Sequence, residues 1–443
     1  MKIHKYIIVL VAVCSCLTLK GQGEISNSQF SKLRLNESKD SLQALPSIAT
    51  STKLIFNSQL EKIELNNTTL IALRAEAEAR KLDNLTGITL ADPEVGYKRM
   101  WEGAEQTGNL TELTVSQSID LPTVLGYRSR AAQGSNHLID EEYRLVRMDI
   151  LLDAQLTCID LAYYNALASE LDRRLAHAHR VAEAERCRLA CGDTDALSYN
   201  NVLLSLAALE AERARVTTEQ HLLASHLTAL NGGKEMEELK IDSAAPREEY
   251  GLHLEDNFQF PVFNSQLSFD SWYAEALEHS PAIALARVER EAAGTHLILA
   301  KAEHLPTFTA TYITERHTIG DRSQGIAVGM SLPLWANKRR VSTARASLEA
   351  AQAREADTHL QLRIQLQAGY ERVKGLHHTA TLYRRALAEA NNTELLARAM
   401  DEGHISVLEY LQGVELYYDY LDRSLNAERD YQRALAELEA WKL

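Results

Sequence analysis

Residues 326–334, Ile-Ala-Val-Gly-Met-Ser-Leu-Pro-Leu, alternate large apolar side chains (Ile326, Val328, Met330, Leu332, Leu334) with small ones (Ala327, Gly329, Ser331, Pro333). A period of two belongs to a strand with one apolar face. The stretch 111–121 behaves likewise, with Leu113, Val115, Ile119 and Leu121 set against Thr114, Ser116, Ser118 and Asp120. Elsewhere the apolar spacing is three and four. In 405–441 it runs Leu411, Val414, Tyr418, Leu421, Leu425, a seam for side-by-side helix packing.

The pattern occurs twice. At an offset of 213, Pro93–Tyr97 answers Pro306–Ala310 and Val115–Leu121 answers Val328–Leu334; at an offset of 211, Gly192, Leu197 and Tyr199 answer Gly403, Leu408 and Tyr410. Each copy predicts a leading helix (58–84; 270–303, interrupted near Pro281), a strand starting at a proline, a polar turn (102–109; 317–325) and a second strand (111–121; 324–334). A very long helix follows (127–190; 338–402), stopped at Gly192 or Gly403, and then a return helix (194–230; 405–441). The chain thus divides into a first repeat at 57–230, a connector at 231–267 with Asn231-Gly-Gly-Lys234, Pro246 and Pro261, and a second repeat at 268–443. At 1.5 Å per residue each long helix spans on the order of 100 Å. The leading and return helices of the first copy sum to the length of its long helix, so two short helices stacked end to end are expected beside one long one.

Composition sharpens this. The 443 residues include only 20 Gly and 8 Pro, which is helix-rich usage, and the net charge of −14 argues against a nucleic-acid partner. The amino terminus has basic Lys2 and Lys5, an apolar run from Tyr6 to Val13, and Gly21 and Gly23 before a cut at Glu24, which reads as an export signal at 1–23. Cys16, in Val13-Cys-Ser-Cys16, offers the alternative of a lipidated start. A Ser- and Asn-rich arm follows at 24–56. No later window has eighteen uninterrupted apolar residues, so any membrane crossing would use strands.

A strand between lipid and water must alternate, and eleven residues suffice to cross a bilayer. The competing reading is a half-buried strand on a soluble core. Two hairpins are all the strand this chain carries, and no other element is left to cover their apolar faces. Because open edges cannot sit in lipid, the hairpins would have to close with those of other copies.

In its order of helix, hairpin, long helix, Gly-turn and return helix, all of it twice, the chain resembles the TolC family of outer-membrane efflux factors from about Asn57 to Leu443. The segments carrying the resemblance are Asn66–Leu82, Ser116–Pro122, Ser280–Glu289, Gly329–Trp335 and the two Gly-turns. Ser331–Ala346 is similar to the branch serving heavy-metal cation pumps of the cobalt-zinc-cadmium type. The resemblance implies a mainly α fold with a small β part: long antiparallel coiled-coil helices forming a trimeric periplasmic tunnel under a transmembrane β-barrel with four strands per subunit. It implies a homotrimer in outer-membrane lipid, a periplasmic adaptor (membrane fusion protein), an inner-membrane pump of the RND type, and no cofactor or catalysis. It places the adaptor-docking tip at Gly192, Asp193, Thr194, Gly403, His404 and Ile405. It places the periplasmic constriction at Glu409, Gln412, Ser198 and Asn201, where Ser198 stands in the place that Glu409 fills in the second turn and so weakens any acidic ring.

Other classes fare worse. There is no HExxH, GxSxG or P-loop. His177 with His179, and His377 with His378, are too close along a helix to share a face, so solvated histidines are expected. Cys187 and Cys191 share a face without a further ligand nearby, so no metal site is expected. The remaining alternative, a periplasmic coiled-coil adaptor or structural protein, would leave the hairpins without a role.

Overall fold

The computed structural model describes residues 58–101, 109–192, 194–235, 269–317, 322–333, 335, 338–390 and 393–443, which fall in one compact unit. The export segment with Cys16, the arm at 24–56, most of the connector, the tips of both polar turns and Asp193 lie outside the described residues.

The first repeat is helical at residues 58–66 (α1) and at Thr68–Thr86 (α2), then has strands Glu94–Met100 (β1) and Leu110–Ile119 (β2). The long helix Pro122–Cys191 (α3) and the return helix Ala196–Leu230 (α4) complete it. The second repeat runs Phe269–His279 (α5), Pro281–Ala302 (α6), strands Thr307–His317 (β3) and Arg322–Ser331 (β4), Lys338–Glu389 (α7), Thr393–Asp401 (α8) and Val407–Leu438 (α9). α3 is 70 residues, roughly 105 Å at helical rise. It starts on Pro122, where the missing N–H has no intrahelical partner to lose, and ends at a left-handed glycine.

Three expectations need correction. The first leading helix breaks at Asn67, whose side chain caps α2 by accepting from the Leu70 N–H at 3.0 Å. The second long helix is described as two elements: α7 ends at Glu389 and α8 begins at Thr393, with residues 391–392 outside the described residues. The strands end at Ile119 and Ser331, so Leu121 caps α3 and Leu332 follows β4 rather than extending the alternating faces; Leu334 lies outside the described residues.

The short helices do accompany the long one, but they overlap before they join. Leu60 and Ile63 of α1 pack with Leu223, Leu227 and Leu230 of α4 against Ala154, Cys158 and Leu161 of α3. The joint is polar: Asn67 Nδ2 donates to the Leu230 carbonyl at 2.8 Å, Asn66 Nδ2 to Asn231 Oδ1 at 3.0 Å, and Lys234 Nζ to Asn66 Oδ1 at 2.6 Å. Gly232, with φ of 67°, turns the chain where a Cβ would lie 2.3 Å from the Asn66 carbonyl oxygen.

Besides α3 against α6 and β2 beside β3, the two repeats meet along α3 and α9, there through charged and aromatic contacts. Arg174, buried to 3% exposure, donates to both carboxylate oxygens of Asp422 at 2.9 and 2.7 Å and to Glu170 at 3.2 Å, and its guanidinium lies 4.2 Å from the centre of the Tyr418 ring. Arg433 binds Asp160, and Arg429 stacks on Tyr163. The expected α9 seam is present: Val414, Leu421 and Leu425 are buried, and Leu411 and Tyr418 pack beside Val414.

The four strands form one antiparallel sheet in the order β1-β2-β3-β4. Pairing in register puts Val95, Val115, Tyr312 and Ile326 in one row, Ile119, Phe308 and Met330 in another, and Val328 opposite Ala310 and Gln117. Neighbours in a row share a face. The opposite face carries Gly96, Lys98, Glu112, Thr114, Ser116, Thr309, Thr311, Glu315, Ala327 and Gly329.

Candidate functional site

Two places concentrate unusual surface: the sheet and the helical tips. On the sheet, Ile326 is 81% exposed and Val328 77%, and Val95, Tyr97, Leu113, Val115, Ile119, Phe308, Tyr312 and Met330 are exposed with them. An apolar face spanning four strands is far larger than a scattered surface residue. The polar face holds a Lys98–Glu112 contact at 3.6 Å. Gln117, a polar residue on the apolar face, donates its amide to the Ala91 and Ser118 carbonyls at 2.6 and 2.9 Å. β1 and β4 have strand neighbours on one side only, leaving two open edges. Trp101 follows β1 and Trp335 follows β4, so an exposed indole stands at each end of the apolar band. No described helix is long and apolar enough to cross a membrane.

The tips are built by matching caps. Gly192 has φ of 80° and Gly403 of 75°, both left-handed. In the second turn the Gly403 N–H donates to the Met400 carbonyl at 3.0 Å and the His404 N–H to the Ala399 carbonyl at 2.8 Å, a paired closure of the helix end. In the first turn, three residues after Gly192, Asp195 Oδ1 accepts from the Ser198 N–H at 2.8 Å to start α4. The 211 offset carries Asp195 to Ser406 and Ser198 to Glu409, and there the pair is a capping box: Ser406 Oγ accepts from the Glu409 N–H at 3.2 Å, and Glu409 Oε2 accepts from the Ser406 N–H at 2.8 Å. These bonds to the Ser406 backbone and hydroxyl hold the exposed Glu409 carboxyl below its usual range, and Ser198 holds that of Asp195 low in the same way. The Ser-x-x-Glu spacing at 406–409 is itself a sequence signature of a helix start, so Glu409 has a capping role beside its charge.

Both tips converge on one apolar cluster. Val181 of α3, Val202 of α4, Leu396 and Met400 of α8, and Val407, Tyr410 and Val414 of α9 pack together, with Ile405 against them. Ile405 is therefore a half-buried wedge, while Gly403, His404 and Gln412 are exposed and Thr194, Ser198 and Asn201 half-buried. Leu197 and Leu408, equivalent under the same offset, are 68% and 52% exposed. His177 corrects the expectation of solvated histidines: it is half-buried, with Nε2 2.9 Å from the Tyr410 hydroxyl, and burial, followed by the charge of Arg180, pushes its pKa down. His377 sits likewise half-buried against the Tyr431 ring, and His179 and His378 are the exposed members. Cys187 and Cys191 are exposed free thiols, whereas Cys158 is buried and its pKa is pushed up to about 12 by desolvation. Among the described residues no group of three or more His, Cys, Asp or Glu could hold a metal.

Residues 272–441 match the family model described as Outer membrane efflux protein. Comparison with curated proteins gave no match. Among solved structures, the fold is similar to a membrane protein from Pseudomonas aeruginosa (TM-score 0.70, 17% identity, covering 87% of this chain and 89% of that one). It is also similar to the outer membrane protein VceC from Vibrio cholerae (0.68, 16%, 88% and 96%) and to the CmeC outer membrane channel of Campylobacter jejuni (0.64, 14%, 87% and 85%). The family match is confined to the second half of the chain, while most of the chain shares the fold of these solved structures.

Proposed function

We infer that the protein is the exit duct of a tripartite efflux system: a passive outer-membrane channel whose helices extend through the periplasm and accept cargo from an adaptor and an inner-membrane pump. The carrying observation is the sheet, apolar and exposed on one face, polar on the other, and open at both edges. Lipid is the one solvent in which the first face is favourable, and it forbids the open edges, so copies would close a barrel with β1 of one chain against β4 of the next, three of them by the resemblance to outer-membrane efflux factors. The polar face then lines a water-filled lumen, and no catalytic step is involved.

The tips are the proposed docking end, formed by Gly192, Asp193, Thr194, Gly403, His404 and Ile405, with Leu197 and Leu408 as apolar contacts beside them. Glu409, Gln412, Ser198 and Asn201 form the proposed constriction, in which Glu409 supplies the negative charge. The similarity of Ser331–Ala346 to the heavy-metal branch makes divalent cations the first cargo to try. We propose the repeat boundaries at 57–230 and 268–443, the connector between them, and an amino terminus either cleaved near Gly23 or lipidated at Cys16.

Reconstitution tests the duct directly. Protein extracted from outer membranes is expected to give discrete, ohmic conductance steps in planar bilayers. A chain that is water-soluble without detergent and adds no conductance would instead fit a periplasmic adaptor.

A further inference from the structure

The lipid-facing side of the sheet does not end in apolar residues. Continuing its rows toward the polar turns, Arg99 pairs with Thr111, Thr111 with Arg316, and Arg316 with Arg322, so one cross-strand row carries three arginines in four positions. All three are exposed, and this face has no Asp or Glu among its described residues. The acids at this height, Glu112 and Glu315, are on the other face, one of them engaged by Lys98. Like charges directly opposite across strands repel, and Arg316 and Arg322 are direct partners. Such a row is favourable when an anion lies against it.

Its height says which anion. From Phe308 to Arg316 is eight residues along β3, about 27 Å of strand and roughly 20 Å along the normal of a tilted barrel, close to the height of an outer-membrane apolar band. The arginines therefore stand at the headgroup boundary on the side away from the helices. Trp101 lies beside them, with the Arg99 guanidinium 5.7 Å from its ring centre, an arrangement suited to an interface. Arg322 Nε donates to Thr314 Oγ1 at 3.1 Å, which leaves its terminal nitrogens for a ligand.

Resting on the barrel reading above, we infer that Arg99, Arg316 and Arg322 form a binding row for the phosphate groups of outer-leaflet glycolipid. Guanidinium forks bind phosphate oxygens in pairs, and three forks in a row suit a headgroup bearing more than one phosphate. A trimer presents the row three times around its rim, so lipid held between copies would also tie neighbouring hairpins together.

Native mass spectrometry of the full-length protein in neutral detergent tests this, because one spectrum reports both trimer mass and bound lipid. The probes are bis-phosphorylated lipid A, the same lipid dephosphorylated, and inorganic phosphate. Wild-type trimer should retain the phosphorylated lipid about tenfold more strongly than the dephosphorylated one. That preference should vanish in Arg99→Gln/Arg316→Gln/Arg322→Gln and persist in Lys98→Gln, at nearly the same height on the lumen face. Excess inorganic phosphate should not displace the lipid. Equal retention of the two lipids by wild type, an unchanged preference in the triple variant, or displacement by free phosphate would each overturn the inference while leaving the channel intact. A monomer soluble without detergent would overturn the barrel reading and this inference with it.

Discussion

Gly192 and Gly403 have no atom within 4 Å of where a Cβ would sit, so space does not explain them; the positive φ does. Alanine at either should cost about 1 kcal/mol through backbone strain alone, and valine more, and hydrogen exchange at the tips should quicken without loss of the trimer. If the tips dock an adaptor, Gly192→Val with Gly403→Val also lowers adaptor crosslinking. Glu409 separates two roles. Glutamine preserves a capping box but removes the charge, so Glu409→Gln should keep tip protection and reduce cation selectivity in bilayers. Unchanged selectivity would reduce Glu409 to a cap. The cap itself has a pH sign: with the folded pKa of Glu409 lowered, its contribution is complete above the ordinary carboxylate value of 4.5 and is lost as pH falls through the lower folded value. His177 behaves alike at higher pH. Its lowered folded pKa means that its contact with Tyr410 is favoured above the ordinary value of 6.5 and weakened as pH falls below it, so tip exchange should rise on mild acidification and the dependence should flatten in His177→Gln.

At the scale of elements, the sequence declares what is periodic and hides what is paired. The alternation at 326–331 and the seam from Leu411 to Leu425 were legible because a period of two or of 3.5 needs only the local chain. The cap at Asn67 and the joint of Asn66 with Asn231 depend on contacts between distant residues or on a balance of small local preferences. Arg174 and Asp422 are 248 positions apart and give no sequence signal at all. Removing one partner strands a buried charge: Arg174→Ala should destabilise the α3–α9 contact by about 3 kcal/mol, and Arg174→Met with Asp422→Leu should recover much of that, as read by calorimetry of the solubilised protein. The two faces of the sheet make a sharper contrast. Val328→Arg, on the face proposed to meet lipid, should oppose insertion by about 2–4 kcal/mol, whereas Ala327→Arg, one residue along on the face proposed to line the lumen, should insert normally and lower conductance. Folding titrations into bilayers would measure the first and planar bilayers the second.

For the molecule as a whole, one requirement organises the rest: an apolar sheet face with two open edges, carried on helices of roughly 105 Å, has no stable home as a single copy. The proposed outer-membrane setting supplies an environment for that face, closure of the edges calls for further copies, and three is the number that the resemblance to outer-membrane efflux factors implies. The cargo is not legible in the sequence: the six methionines include no ladder that would speak for soft metals. The most direct test is the mass of the detergent-solubilised protein with the detergent contribution removed. The account predicts a single species of three chains; a monodisperse single chain that keeps its strands would contradict it.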